Sequence, residues 1–447
     1  MTRQLVTTSC AFVLAAVALS GAAWADDAPP GDSMRALVRE EIEAYQKEHA
    51  GKPNDFRVYW KDGLRFETRD EKFKMKIGGR IQLDFTYFAD SDARRRLEDA
   101  TGGEWNSGAE FRRVRLFASG DVYEYFSWKL QLEFAGAGGG HDVVFKDVYV
   151  RIHDLDARFG RFFPNIYVGH FKEFFSLEAM NSSKYITFLE RGLPVTTFAP
   201  FRSTGIGFFK DFFDERVTVG GGWWLETDDG GAGYFKDGQA LTGRATWLPW
   251  APHPSQFWEV GASGSWRFTQ DGIRYRARPE EHMGDRILDV KLPDATREWR
   301  FGGETSFVYD RFSVQGEILG ASPDVGTGNN PLYWGAYAQV SYFLSGGFRP
   351  FKKSYAVFDK VKPCRNFDAK GGGWGAWEVA ARWSYLDLDD EGRDGGRATD
   401  VTVGLNWYLN PNARISTDYV HSDVKNAQGS GVDGTMDIVS VRFQVFF

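Results

Sequence analysis

Arg113 and Arg115 stand two residues apart in a stretch that alternates between apolar and polar residues. In an extended strand such a pair points to one side, with the two residues about 7 Å apart. Arg80, Arg151, Arg244, Arg267, Arg300, Arg382 and Arg442 hold the same polar parity in other alternating stretches. A guanidinium forks two donors toward two oxygens, so the chemistry on offer is reversible binding of phosphate. Lys129 shares that parity, and so do Asp84, Glu133, Asp147, Glu259, Glu298, Glu304 and Glu378. Two readings follow. The arginines form successive weak anion sites, or they pair with the acids and brace a wall.

Bond-making chemistry finds less material. The seven histidines show no H-E-x-x-H or paired spacing, so no metal site is expected. Asp387-Leu388-Asp389-Asp390-Glu391-Gly392 opens like a calcium loop, but Ala398 stands at position twelve, and the stretch reads as a solvated outer loop. Gly220-Gly221-Gly222 and Gly371-Gly372-Gly373 do not lead from a strand into a helix, so they are not phosphate cradles. No G-x-S-x-G occurs, and His421 beside Ser422 is the nearest hint of a hydrolase. No cofactor is expected.

Composition narrows the class. Of 447 residues 42% are hydrophobic, yet mean hydropathy is −0.41. Aromatics make up 16%, too many for a disordered chain. Arg3, the apolar run Cys10 to Leu19 and Ala23-Trp24-Ala25 form a secretory signal pattern, so residues 1–25 are expected to be cleaved. Cys364 would then be the one remaining thiol, and no disulfide could form. Past that start no apolar run is long enough for a membrane helix. The net charge of −7 is small for the length and gives no basic face for nucleic acid.

The elements that must carry the arginines are strands. Within a 26–55 linker, residues 33–49 are the one helix the pattern predicts: Met34, Val38, Ile42 and Tyr45 make an apolar stripe after the cap Ser33. The domain proper is 56–447. After residue 70 the period becomes two. Ile81, Leu83, Phe85 and Tyr87 alternate with Arg80, Gln82, Asp84 and Thr86, and Val401, Val403, Leu405 and Trp407 alternate with Thr402, Gly404 and Asn406. Sixteen strands are predicted, at 73–88, 110–120, 123–135, 143–152, 157–171, 204–210, 215–226, 239–248, 257–268, 297–309, 311–320, 332–344, 375–387, 398–409, 412–422 and 435–447. Connections after odd strands are long. Those after even strands are short, apart from 345–374. Strand length, aromatics near strand ends (Trp247/Trp250, Trp258/Trp266, Trp299/Tyr309), charges on the polar face and a terminal Phe447 predict an all-β transmembrane antiparallel barrel in outer-membrane lipid.

Several ordered motifs resemble the phosphate-selective porin O and P family. They are Val58-Tyr59-Trp60-Lys61-Asp62-Gly63-Leu64-Arg65-Phe66, Lys76-Ile77-Gly78-Gly79-Arg80-Ile81-Gln82-Leu83-Asp84 and Phe111-Arg112-Arg113-Val114-Arg115-Leu116. Gly169-His170-Phe171-Lys172-Glu173-Phe174-Phe175-Ser176-Leu177-Glu178 is similar to the family's G-x-F-K-x-P-F-S-L-E run, with Phe174 in place of Pro. Ile186-Thr187-Phe188-Leu189-Glu190-Arg191-Gly192-Leu193-Pro194, the stretch 375–384 and the stretch 404–411 also fit. The resemblance covers about 56–447. It implies a sixteen-stranded, usually trimeric channel with inward-folded segments and lumen arginines that pass phosphate or polyphosphate.

The connection 172–203 is too long for a turn and is the expected constriction. Phe174, Phe175, Leu177 and Phe188 would fasten it, leaving Lys172, Lys184, Arg191 and Arg202 near the path. By resemblance, the segment 345–374, with Arg349, Lys352, Lys353, Lys360, Lys362 and Arg365, also folds inward as a basic vestibule; the alternative reading is a solvated segment. The expectation is an anion-preferring pore. A barrel hydrolase, or a structural protein tethered through helix 33–49, stays open at this point.

Overall fold

The computed structural model describes residues 56–135 and 143–447, together with Ala36, Arg39, Glu40, Glu41 and Ala44, which are helical and exposed. The predicted signal segment and the apolar stripe of the 33–49 helix lie outside the described residues. Phe56–Phe447 forms one compact unit.

In chain order its strands are β1 (Phe56–Trp60), β2 (Leu64–Thr68), β3 (Phe73–Phe88), β4 (Gly108–Val122), β5 (Phe126–Glu133), β6 (Val144–Ile152), β7 (Asn165–Lys172), β8 (Arg202–Phe212), β9 (Val217–Leu225), β10 (Gly238–His253) and β11 (Gln256–Thr269). They continue as β12 (Ile273–Ala277), β13 (Leu288–Leu292), β14 (Arg297–Tyr309), β15 (Phe312–Asp324), β16 (Tyr333–Ser345), β17 (Phe351–Lys352), β18 (Val357–Phe358), β19 (Ala376–Asp390), β20 (Arg393–Asn410), β21 (Ala413–Lys425) and β22 (Gly434–Phe446). Without β1, β2, β12, β13, β17 and β18, sixteen antiparallel strands remain, each paired with its neighbours in sequence. β22 returns to β3 with Arg442 opposite Asp84 and Phe446 opposite Arg80, and the sheet closes. Phe447 and Gly79 then exchange backbone hydrogen bonds of 2.8 and 3.0 Å.

Closure is what a bilayer demands. It offers no water for an open edge, so every backbone donor must find an acceptor within the sheet. The side chains obey the same solvent. Ile81, Phe85, Val401, Val403, Phe443 and Val445 face outward and exposed, while Gln82, Asp84, Thr402, Asn406 and Arg442 between them are buried inside. Aromatics mark both rims. Trp250 stacks on Tyr309 beside the two-residue turns 254–255 and 310–311, and Trp266 faces Trp299 at the far end of the same strands. Such girdles sit where lipid meets water.

Four details depart from the sequence reading. A second helix, Asp92–Thr101, stands in the first long loop; Ser91 accepts from Arg94 N at its start and the left-handed Gly102 ends it. Only Leu97 in it is buried, so apolar periodicity could not reveal it. β7 begins at Asn165 rather than 157, because Asp156–Phe159 forms a short helix. β19 and β20 run on to Asp390 and Arg393 through the turn Glu391-Gly392, whose φ values of 51° and 70° suit a tight hairpin. The calcium-like stretch is therefore paired strand and not a solvated loop. Finally, the hairpins β1–β2 and β12–β13 were absent from the strand prediction.

The outward row gives a direct test. Val403→Arg, at mid-strand on the lipid face, is expected to cost about 2–4 kcal/mol, whereas Thr402→Val on the inner face costs less. Urea unfolding in lipid vesicles measures both.

Candidate functional site

Three segments turn into the barrel and fill one side of it. The first is 173–201. Glycine hollows in the wall seat its rings: a Cβ on Gly220 would lie 2.8 Å from the Phe174 ring, and one on Gly404 would lie 3.0 Å from Phe188. Phe174 also packs on Phe209 and Trp224, so the residue in the expected proline position anchors the loop. Glu190 is the electrostatic anchor. Its carboxylate receives Arg112 (2.8 and 3.0 Å), Arg113 (3.3 Å) and Arg442 (2.9 Å).

The second segment is 270–296, which carries β12 and β13. Glu280 is fully buried against Arg382 (2.8 Å to Nε), and its amide donates to Asp400 at 2.9 Å. Tyr275 packs between Phe198 and Tyr333. The third is 346–375. Its Phe358 amide donates to Asn181 (2.8 Å) and its Arg349 donates to Tyr185 O (3.1 Å). Leu193, Val195, Phe198, Leu288, Leu386 and Ile438 make a buried apolar plug between the first two segments and the wall β15–β22.

Most wall arginines are consumed here. Arg244 pairs with Glu304, Arg267 with Glu173 and Glu298, Arg300 with Glu298, Arg382 with Glu280 and Glu178, and Arg442 with Asp84 and Glu190. These are bracing pairs, and they form no continuous row.

The other side of the barrel, beside β3–β9, holds a cavity of about 940 Å³. Thr227, Asp228 and Asp229 line it at the long-loop end; Tyr59, Arg65, Lys74, Lys352 and Tyr355 line it at the short-turn end. Fifteen of its lining residues are Arg or Lys and five are Asp or Glu. Of the expected binding residues, Arg80, Arg113, Arg115 and Arg151 face this cavity, as do Lys172, Lys184, Arg191 and Arg202; Arg244 and Arg382 lie on the filled side. Arg113 is held by Glu190, Arg115 by Glu133, and Arg202 shares Asp147 with Lys129.

The others make no ion pair among the described residues. Arg80 donates to Ser183 Oγ (2.6 Å) and Arg151 to the Tyr355 hydroxyl (2.6 Å). Lys172 caps three loop carbonyls, those of Ala179, Met180 and Asn181, and Arg191 holds the carbonyls of Glu178 and Asn181. Lys184 lies against the Phe446 ring, 4.7 Å from its centre. Burial, with the nearby charges of Arg80, Lys76 and Lys129, pushes the Lys184 ammonium down to about 7.

Lys76, Lys146 and Tyr355 were missed as lining residues, whereas Lys352 arrives with the basic segment expected to fold inward. Lys76 shares the parity of Arg80, and that signal was available. Lys146 was hidden by a bulge. Leu130 faces Val148 and Leu132 faces Phe145, so Lys146 and Asp147 together oppose Gln131 and both reach the cavity. Nothing local marks Tyr355, which arrives with the third segment.

The hydrolase hint fails geometrically. His421 bonds Asp437 on the outer side, whereas Ser422, the next strand residue, is buried on the inner face. Ser127 and His153 do meet, at 2.7 Å, but Asp121 (2.7 Å) and Arg151 (3.1 Å) also hold that hydroxyl, which braces the turn. Among the described residues no cluster of His, Cys, Asp or Glu suits a metal ion.

The Glu190 clamp should be separable from the wall. Glu190→Ala leaves three arginines facing an empty site, and losing a buried partner costs about 3–5 kcal/mol. The expected outcome is a folded barrel whose 173–201 loop is cut by protease under conditions that spare the parent chain.

Comparison with known proteins agrees with this architecture. The family model described as Phosphate-selective porin O and P matches residues 75–447. Porin O of Pseudomonas aeruginosa is 24% identical over 433 residues, covering 88% of this chain and 93% of that protein. The outer membrane channel DcaP of Acinetobacter baumannii superposes with a TM-score of 0.54 at 10% identity, over 86% of this chain and 99% of that one. An anion-selective porin from Comamonas acidovorans gives 0.51 at 14% identity, over 84% and 100%. The closed sixteen-strand barrel, its lipid-facing row and the family match together make this chain an outer-membrane porin that belongs to the phosphate-selective porin O and P family.

Proposed function

We propose that this porin conducts anions in preference to cations, along the cavity beside β3–β9. The observation that carries the reading is the lining itself, with fifteen basic residues against five acidic ones. In a narrow passage with low-dielectric walls such an excess concentrates counter-ions and raises their entry rate. Arg80, Lys184 and Arg151 provide successive weak contacts, and weak contacts let an ion leave as well as enter, while Lys172, its three donors taken by loop carbonyls, adds charge to the wall without touching the ion. Arg113 and Arg115 lend donors while staying tied to carboxylates, and Arg191 and Arg202 shape the narrowing. Arg244 and Arg382 act as braces for the filled side.

Phosphate and polyphosphate are the ions the family points to. In this chain the support for them is the general basic lining rather than a ladder of free guanidiniums. We further propose a homotrimer in the outer membrane, as OmpT of Vibrio cholerae, an outer membrane protein with the same fold, has a trimer form, and export through removal of residues 1–25.

Planar bilayers with a potassium chloride gradient test the preference. The reversal potential is expected to show chloride several times more permeant than potassium. Equal or cation-preferring permeation overturns the reading. Because Lys184 is a cation below about 7 and neutral above it, the preference should weaken as pH rises from 6 to 8. Lys184→Gln should begin weaker and show a smaller pH dependence than the parent.

A further inference from the structure

The third inward segment does not stay inside. Past Cys364 its chain crosses the short-turn rim, and residues 365–374 lie as a flap on the outer face of β19 and β20. The Phe367 amide donates to Leu409 O (2.6 Å), and its ring meets Trp407 edge-on at 5.2 Å. Trp407 stacks on Trp377 at 4.9 Å, in the same outward rows as Val379, Val403 and Leu405. The Trp407 indole N–H donates to the Trp374 carbonyl (2.9 Å), and Trp374 itself is 69% exposed.

The glycine run 371–373 builds this flap. Asp368 N donates to Gly373 O (2.9 Å) and Gly372 N to Asp368 O (3.0 Å), which closes a tight turn. Gly372 has a left-handed φ of 73°, and a Cβ on Gly373 would strike the Asn366 carbonyl. The flap is also basic. Lys362 at its base, Arg365 and Lys370 are exposed and make no ion pair among the described residues. Asp368 is the one acid between residues 360 and 375, and its carboxylate accepts from the Lys370 amide (2.9 Å) inside the turn. Lys362 and Arg365 were expected in an inner vestibule, but of that basic set only Lys352 lines the cavity.

Rings continuous with the lipid-facing wall fit the depth where acyl chains give way to headgroups. Lys and Arg beside them draw negative headgroups. A neutral lipid would satisfy the rings and leave three cations without a counter-charge, and a neighbouring subunit would have to bury those cations. The short turns of outer-membrane barrels lie on the periplasmic side, where the leaflet is phospholipid. We propose that the 365–374 flap binds anionic phospholipid of the periplasmic leaflet, phosphatidylglycerol being the type. Trp374 and Phe367 would meet the glycerol and upper acyl region, and Lys362, Arg365 and Lys370 the phosphate.

Native mass spectrometry of the full-length porin, released from nanodiscs holding equal parts phosphatidylglycerol and phosphatidylcholine, counts the lipid retained. Phosphatidylglycerol is expected to exceed phosphatidylcholine at least fivefold. Lys362→Gln, Arg365→Gln and Lys370→Gln combined should cut that excess at least threefold, with oligomeric mass and β-sheet circular dichroism unchanged. Trp374→Ser should at least halve the phosphatidylglycerol retained. No excess in the parent, or an excess that the triple variant keeps in full, would overturn the proposal. A triple variant that falls to a smaller oligomer while the parent does not would make the flap a subunit contact and overturn it as well.

Discussion

The carboxylate of Glu190, gripped by Arg112, Arg113 and Arg442, decides how this barrel is filled. A barrel of sixteen strands is wider than its own side chains can pack. Something must occupy the interior, and charge selects what does. The wall carries arginines on its inner face, and the inward segments bring acids to meet them: Glu173, Glu178 and Glu190 from one, Glu280 from another. Each pair compensates desolvation that either partner would suffer alone. The segments are therefore held to one side, and water is left to the other.

That asymmetry turns an abundance of arginine into a particular path. On the filled side, guanidiniums are braces, buried with their acids around an apolar plug. On the open side, acids are few, and several cations are steadied by hydroxyls, carbonyls or rings. These partners fix position without removing charge. The distinction between a structural and a conducting arginine is thus one of partner type, and residue type alone does not reveal it.

Period two was the strongest signal in the sequence, and it held where strands are regular. Parity put Arg80, Arg113, Arg115 and Arg442 on the inner face, where they lie. It failed where geometry breaks parity, at the bulge that brings Lys146 and Asp147 to one cavity. It was silent on tertiary arrivals such as Tyr355 and Glu280. The wall glycines were legible only as what they are not. Gly220 had been excluded as a phosphate cradle, and its role, a hollow for Phe174, needs the loop in place to be seen. The helix Asp92–Thr101 shows the reverse failure, because its caps Ser91 and Gly102 were in plain view while its single buried Leu97 gave no stripe.

Water on one side of the lumen and a dry plug on the other is the central claim, and thiol accessibility reads it directly. In a Cys364→Ser background, Tyr149→Cys places a thiol on the open side and Gln339→Cys places one on the filled side, where Gln339 is 5% exposed and bonded to Thr187 and Gln315. An anionic methanethiosulfonate added to an open channel should react with Cys at 149 and reduce the chloride current in discrete steps, and should leave the 339 variant unchanged. Rapid reaction at 339 with loss of current, or none at 149, would contradict a pore confined beside β3–β9.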